Sequence, residues 1–232
     1  MAGTEPLIRI QDLRRDFQMG QETVHALDGV SLTVGEGEFL GVMGPSGSGK
    51  STLLYLLGGL DRPTSGYVRV RDQDITALDE NELAAYRRRE VGFVFQSFNL
   101  ISTMTALQNV EFPMLFARVP LAQRRERACH VLEAVGLAGR MGHKPTELSG
   151  GEQQRVAMAR AMANDPVIIL ADEPTGNLDS RTGAEVMAVL ARLNQEQGRT
   201  IVVVSHDPAV VDFAGRCIHL LDGRIADVPA PP

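Results

Sequence analysis

Phe39-Leu-Gly-Val-Met43-Gly44-Pro-Ser-Gly-Ser-Gly49-Lys50-Ser51-Thr52-Leu-Leu-Tyr55-Leu-Leu57 reads as a strand, a loop and a helix in immediate succession. Phe39–Met43 is an apolar stretch suited to a buried strand, and Thr52–Leu57 is a helix-like run. Between them, Gly44–Ser51 fits G-x-x-x-x-G-K-[ST] at every fixed position, in the strand–loop–helix context that motif requires. Glycines let backbone N–H groups turn inward around phosphate oxygens. The helix N-terminus adds a partial positive charge. The expected phosphate cradle is Gly44, Pro45, Ser46, Gly47, Ser48, Gly49, Lys50, Ser51 and Thr52. In it Lys50 reaches the β- and γ-phosphates of a nucleoside triphosphate and the Ser51 hydroxyl ligates Mg2+.

A second glycine-rich stretch, Leu148-Ser149-Gly150-Gly151-Glu152-Gln153-Gln154-Arg155, lies far along the chain. Ser149 with Glu152 forms a capping box. It opens a helix whose apolar positions are Val156, Met158, Ala159, Ala161 and Met162. Capping leaves Gly150 and Gly151 without a reason, since glycine in a first helical turn costs roughly 1 kcal/mol against alanine. Bare N–H groups there suit an approaching anion. Plain capping and phosphate binding both remain open on these residues alone.

The 232 residues are 44% hydrophobic, enough for one sizeable core. A formal charge of −6 disfavours a general nucleic-acid binder. The two cysteines, Cys129 and Cys217, sit among apolar neighbours and read as buried, reduced thiols, not as a disulfide or zinc site. No apolar run approaches the ~18–20 residues of a membrane span. The start, Met-Ala-Gly-Thr-Glu-Pro, lacks the basic and apolar regions of a signal peptide, so a cytoplasmic protein is expected.

Residues 7–43 read as short strands with turns at Met19-Gly20 and Gly35-Glu-Gly37. Tyr67–Val70 alternates like a strand, Asn81–Arg89 reads as helix, and Val91–Phe95 as a buried strand. Strand signals then vanish, and helical segments are expected at Ala106–Arg118 and Leu121–Val135. The latter has a buried stripe of Leu121, Ala128, Val131, Leu132 and Val135, with Arg124, Arg125 and Arg127 as its solvated face. Val167–Leu170 and Ile201–Val204 are β-branched runs suited to a parallel sheet covered on both faces. The expected organisation is a single domain with an α/β nucleotide-binding core in residues 1–96 and 164–228. A helical insertion fills about 97–163, and a tail follows at 229–232.

Ligands of open α/β sheets bind beyond the carboxyl ends of strands. Val167–Glu173 ends there in two carboxylates, making Asp172 the candidate Mg2+ holder and Glu173 the candidate base for water attacking the γ-phosphate. Ile201–Asp207 repeats the construction with His206 at its tip. That histidine either contacts the γ-phosphate or its water, or is an ordinary loop residue. Gln96 ends the Val91–Phe95 strand and is a further candidate for Mg2+ or the γ-phosphate. Asp179 or Ser180 caps a following helix.

Taken together these stretches resemble the nucleotide-binding domain of the ATP-binding cassette (ABC) ATPases over nearly the whole chain. Gly44–Ser51 matches the Walker A loop, Gln96 the Q-loop, Leu148–Arg155 the signature, Asp172 and Glu173 Walker B, Asn177-Leu-Asp179 the D-loop and His206 the switch histidine. The resemblance implies a P-loop NTPase core with a parallel sheet, an antiparallel β subdomain and a helical signature subdomain. It implies ATP and Mg2+ as cofactors, and a head-to-tail homodimer in which each ATP lies between one copy's Walker A and the other's signature (Ser149, Gly150, Gly151, Glu152). It further implies a separate integral membrane permease as partner, a place on the inner face of the cell membrane, and no nucleic acid. Phe17 stands where the family often has an adenine-stacking tyrosine, and would otherwise be a core strand residue. Phe95–Ile101 with Met104–Val110 and Pro113 looks like the macrolide-export (MacB-like), lipoprotein-releasing (LolD-like) and cell-division (FtsE-like) subgroup. Phe98, Leu100, Ile101 and Met104 form either a docking patch for the membrane subunit or core of the helical subdomain.

Overall fold

The computed structural model describes residues 5–226. The expected tail at 229–232 and the reading of residues 1–4 lie outside them. Two sheets form the frame. Strands β1 (Ile8–Met19), β2 (Glu22–Val34), β4 (Ser65–Val70) and β5 (Gln73–Asp74) make an antiparallel sheet in the order β2-β1-β4-β5. The second sheet runs β10 (Arg224–Ala226), β9 (Arg216–Leu221), β3 (Phe39–Met43), β8 (Thr200–Ser205), β7 (Ile168–Asp172), β6 (Val91–Phe95). All its pairs are parallel except the β9–β10 edge.

The expected short strands of residues 7–43 prove to be two long ones ahead of β3, of 12 and 13 residues. Register shifts near Asp12 and Arg15 let polar stretches stay in the ladder, so a run that looks broken in the sequence continues in space.

Side-chain alternation along the parallel strands divides the interior in two. Leu40, Val42, Leu170, Val202 and Val204 face the antiparallel sheet and helix α1 (Lys50–Leu57). Met43, Ile169, Ala171, Ile201 and Val203 face the opposite core. That core is shared with α3 (Ala106–Phe116), α4 (Leu121–Ala134), α5 (Gly150–Met162) and α6 (Ser180–Gln197). Helix α2 (Glu80–Glu90) precedes β6. Burying both faces accounts for the uninterrupted apolar character of β3, β7 and β8.

Several local expectations change. The helix expected to reach Arg118 stops at Phe116, because Arg118 takes a positive φ of 57°. Leu121 leaves the buried stripe of α4 and is 65% exposed at the helix start, while Ala128, Val131, Leu132 and Val135 are buried. Arg125 is solvated, but Arg124 donates to the Val119 carbonyl and Arg127 pairs with Asp165, so the arginine face is partly tied to neighbouring backbone and charge. Both cysteines are free and only half-buried. No helix among the described residues is long and apolar enough to cross a membrane.

Candidate active site

The register of the parallel sheet assembles the site. Met43 pairs with Ser205, Val204 with Asp172, and Asp172 with Phe95. The residues that follow, Gly44, His206, Glu173 and Gln96, therefore leave the sheet side by side at its carboxyl edge.

The phosphate loop is held from beneath. Gly44 and Gly49 have φ of 156° and 99°, and a Cβ at either would overlap a backbone carbonyl oxygen, of Leu220 and Ala26 respectively. The crown from Pro45 to Gly47 is exposed, whereas Ser48 is 2% and Lys50 5% exposed. Gly49 is the N-cap of α1 and supplies no capping side chain, so the first-turn N–H groups of Lys50, Ser51 and Thr52 have no intrahelical acceptor. The buried Ser48 hydroxyl also lacks a hydrogen-bond partner. Lys50 lies across the loop, its Nζ donating to the carbonyls of Gly44 and Pro45 at 2.8 Å each. Unused donors and a folded-over ammonium fit a polyphosphate ligand.

Beside the loop, the Ser51 hydroxyl donates to Asp172 Oδ1 at 2.8 Å, and the Tyr55 phenol donates to Asp172 Oδ2 at 2.8 Å. Burial first, and then the bond to Asp172, push the Tyr55 phenol up to about 12. Hydroxyl and carboxylate oxygens are the donors a hard divalent cation takes. Among the described residues no group of three or more His, Cys, Asp and Glu side chains could hold a metal ion by itself. Ser51 and Asp172 therefore fit a Mg2+ that arrives with phosphate and water ligands of its own.

Glu173 has a φ of 46°, in the left-handed region that side chains rarely adopt. Its N–H donates to the Val204 carbonyl at 2.9 Å and its carbonyl accepts from Gly176 N–H at 3.0 Å, which over-determines the turn. The turn carries the carboxylate to His206, with Nδ1 2.7 Å from Oε2, and to Lys50, with Nζ 4.0 Å from Oε1. Backbone strain of about 1–3 kcal/mol is characteristic of such a position.

The remaining expected residues lie further out. The Gln96 side chain is exposed and packs against Gly176 and Asn177. Asn177 Nδ2 donates to the Gln96 carbonyl at 3.0 Å, and no hydrogen bond joins Gln96 to Ser51 or Asp172. Phe17 is 38% exposed on β1, with the Arg15 guanidinium 4.5 Å from its ring centre, so it is not a core residue. Leu100 packs on the helical core, and Phe98, Ile101 and Met104 are half-buried.

The Ser149–Glu152 capping box is complete: Glu152 N–H donates to Ser149 Oγ at 3.3 Å and Ser149 N–H to Glu152 Oε2 at 2.8 Å. The Ser149 amide, with Arg140 beside it, holds the Glu152 carboxyl below its ordinary value. The two glycines separate. A Cβ on Gly151 would overlap Thr182 Cγ2, so packing against α6 by itself requires that glycine. A Cβ on Gly150 would meet Leu178 at 3.2 Å, a contact a flexible side chain can relieve. Packing against α6 thus gives Gly151 a reason of its own, beside whichever of capping and phosphate binding the helix start serves.

Two polar side chains here, one buried and one half-buried, escape sequence reasoning. Gln154 is 0% exposed and its Nε2 donates to the carbonyls of Pro174 at 2.6 Å and Phe95 at 3.3 Å, tying α5 to the ends of β6 and β7. Tyr55 reads in the sequence as one more apolar member of α1. Its spacing of four from Ser51, which puts both on one helix face, was the available signal.

The ABC transporter family matches residues 27–176. An uncharacterised ABC transporter ATP-binding protein of Thermotoga maritima is 50% identical over 96% of this chain and 94% of its own length. A macrolide export ATP-binding/permease protein MacB of Paracoccus denitrificans is 52% identical over 95% of this chain, and this chain spans only 33% of that protein. The ATP-binding cassette MJ0796, a Methanocaldococcus jannaschii protein, superposes in its dimeric structure with ADP and Pi at a TM-score of 0.87. It shares 48% identity and covers 94% of this chain and 96% of that one.

Proposed function

The chain belongs to the ABC transporter family as one of its ATP-binding domains, and from that membership we propose that it hydrolyses ATP between two copies of itself and so drives a separate membrane subunit. The observation that carries the proposal is the convergence of the Gly44–Ser51 loop, the Ser51–Asp172 pair and the Glu173–His206 pair at one sheet edge. In this reading Lys50 exchanges its two loop carbonyls for β- and γ-phosphate oxygens, and the first-turn amides of α1 take the rest of the phosphate charge. Ser51 and Asp172 hold Mg2+, which when bound neutralises charge on the phosphates. Glu173 accepts the proton of the attacking water, and His206 keeps its carboxylate oriented. Gln96 is assigned to the γ-phosphate or Mg2+, which its exposed side chain reaches only by moving inward, and Phe17 offers the ring face opposite Arg15 to adenine.

The second copy contributes Ser149, Gly150, Gly151 and Glu152 at the N-terminus of α5, an anion site whose Gly150 leaves the first amides uncovered. The dimeric cassette bound to ADP and Pi supports this arrangement by its similarity. The macrolide-export relatives support a permease partner and favour the export type over the cell-division type. The exposed apolar side chains suited to that partner are Leu115, Phe116 and Leu121, and Phe116 also lines a groove of about 430 Å³ with Phe95, Asn99 and Pro113. Docking there holds the chain on the inner face of the membrane.

Glu173→Gln tests the chemistry, because it keeps size and removes the base. ATP turnover is expected to fall by about 10²–10⁴ with ATP affinity retained. Near-normal turnover in that variant would remove Glu173 as the base.

A further inference from the structure

Asp172 is gripped at both oxygens from a single helix. Ser51 and Tyr55 stand one turn apart on α1, Ser51 donating to Oδ1 and Tyr55 to Oδ2, each at 2.8 Å. The two grips differ in permanence. The Ser51 hydroxyl belongs to the phosphate loop and turns to the cation when nucleotide arrives. Tyr55 does not belong to the loop; its ring packs against the core shared with the antiparallel sheet.

We propose that Tyr55 is a positioning residue that fixes the Asp172 carboxylate, so that Oδ1 alone is presented to the divalent cation. The proposal rests on the nucleotide reading above and deepens it. Mg2+ demands near-ideal octahedral geometry and retains several waters, so a carboxylate free to rotate and offer both oxygens is a poorer partner than one held at a single oxygen. Outer hydrogen bonds of this kind typically govern metal affinity by about 10–100-fold. Tyr86 cannot substitute, because its hydroxyl is committed to the Leu57 carbonyl at 2.9 Å.

Tyr55→Phe removes the single oxygen and keeps the packed ring. The measurement is the affinity of the protein for the fluorescent nucleotide mant-ADP, first in EDTA and then in a Mg2+ titration. Tyr55→Phe is expected to bind mant-ADP in EDTA like the unaltered protein and to need about tenfold more Mg2+ for half-saturation. A half-saturating Mg2+ within twofold of the unaltered protein would overturn the proposal. So would an equal loss of metal-free and Mg2+-dependent binding, since that is the mark of a structural role. If the unaltered protein bound no mant-ADP in either condition, the nucleotide reading would fail together with this one.

Discussion

Glu173 bends backward at φ 46° between two groups that hold it, the Val204 carbonyl before it and Gly176 after it. Residue-scale strain of this sort persists only where the surroundings enforce it, and here it aims one carboxylate at His206 and Lys50 together. The loop glycines show the same economy with different causes. Gly49 is needed twice, by its φ of 99° and by the Ala26 carbonyl that a Cβ would overlap. Gly47 is needed only by its φ of 81°, with nothing within 4 Å of a Cβ. Gly49→Ala is therefore expected to destabilise the protein by more than about 3 kcal/mol, and Gly47→Ala by about 1 kcal/mol. Urea melts of the two variants compare them directly, and equal losses would show that the contact with Ala26 relaxes freely. The G-x-x-x-x-G-K-S pattern is legible in the sequence, but the difference between its glycines is not. The Ala26 oxygen belongs to β2, more than twenty positions before Gly49, and only the fold brings the two together.

Helix α5 is where element-scale energetics are clearest. Its N-terminus is closed by Ser149 and Glu152, and Arg140 reaches in from a neighbouring turn to pair with Glu152 at 2.9 Å. Ser149→Ala is expected to cost about 1 kcal/mol, read as a lowered urea midpoint. The pH dependence has a definite sign. The folded-state value of Glu152 is depressed below the ordinary 4.5, so its contribution is complete above that pH and is lost as pH falls through the folded value. Stability is expected to decline below about pH 4.5. Glu152→Gln keeps a side chain able to close the capping box. It is expected to cost about 0.5 kcal/mol at neutral pH and to flatten part of the acid decline. Thermal melts from pH 3 to pH 7 resolve this, and an unchanged slope would assign the decline to other carboxylates. Helix α3 ends earlier than its residues suggest. Its sequence suits a helix through Arg118, yet Arg118 turns left-handed and ends it at Phe116, leaving Leu115 and Phe116 on the surface. Buried Asn109 on α3 holds the chain before it, accepting from Ile101 N–H at 2.8 Å and donating to the carbonyls of Ile101, Met104 and Thr105. Nothing in local periodicity distinguishes such an asparagine from a solvated one.

At the scale of the molecule, one chain carries two helix N-termini proposed as anion sites on different parts of the fold: that of α1 behind Gly49 and that of α5 behind Ser149. The proposed dimer brings each against the other's partner. Glu173→Gln with ATP and Mg2+ is expected to sediment as a dimer of about twice the mass seen without nucleotide, because bound ATP bridges the two copies and is not consumed. A persistent monomer at high protein concentration would count against shared sites. The formal charge of −6 makes the two copies repel, so dimerisation is expected to strengthen with added salt. The sequence by itself determined the glycine-rich Gly44–Ser51 loop, the carboxylates at the end of β7, the capping box of α5 and the apolar β-branched runs that build a parallel sheet, since each depends on neighbours within a few residues. Only the tertiary structure decided that the strand tips stand in register, that Tyr55 and Ser51 divide Asp172 between them, that Gly151 answers to Thr182, and that Gln154 ties α5 to β6 and β7. Those facts depend on which distant backbone or side chain arrives within about 3 Å, and hydrogen bonding and close packing at that range are set by the folded chain as a whole.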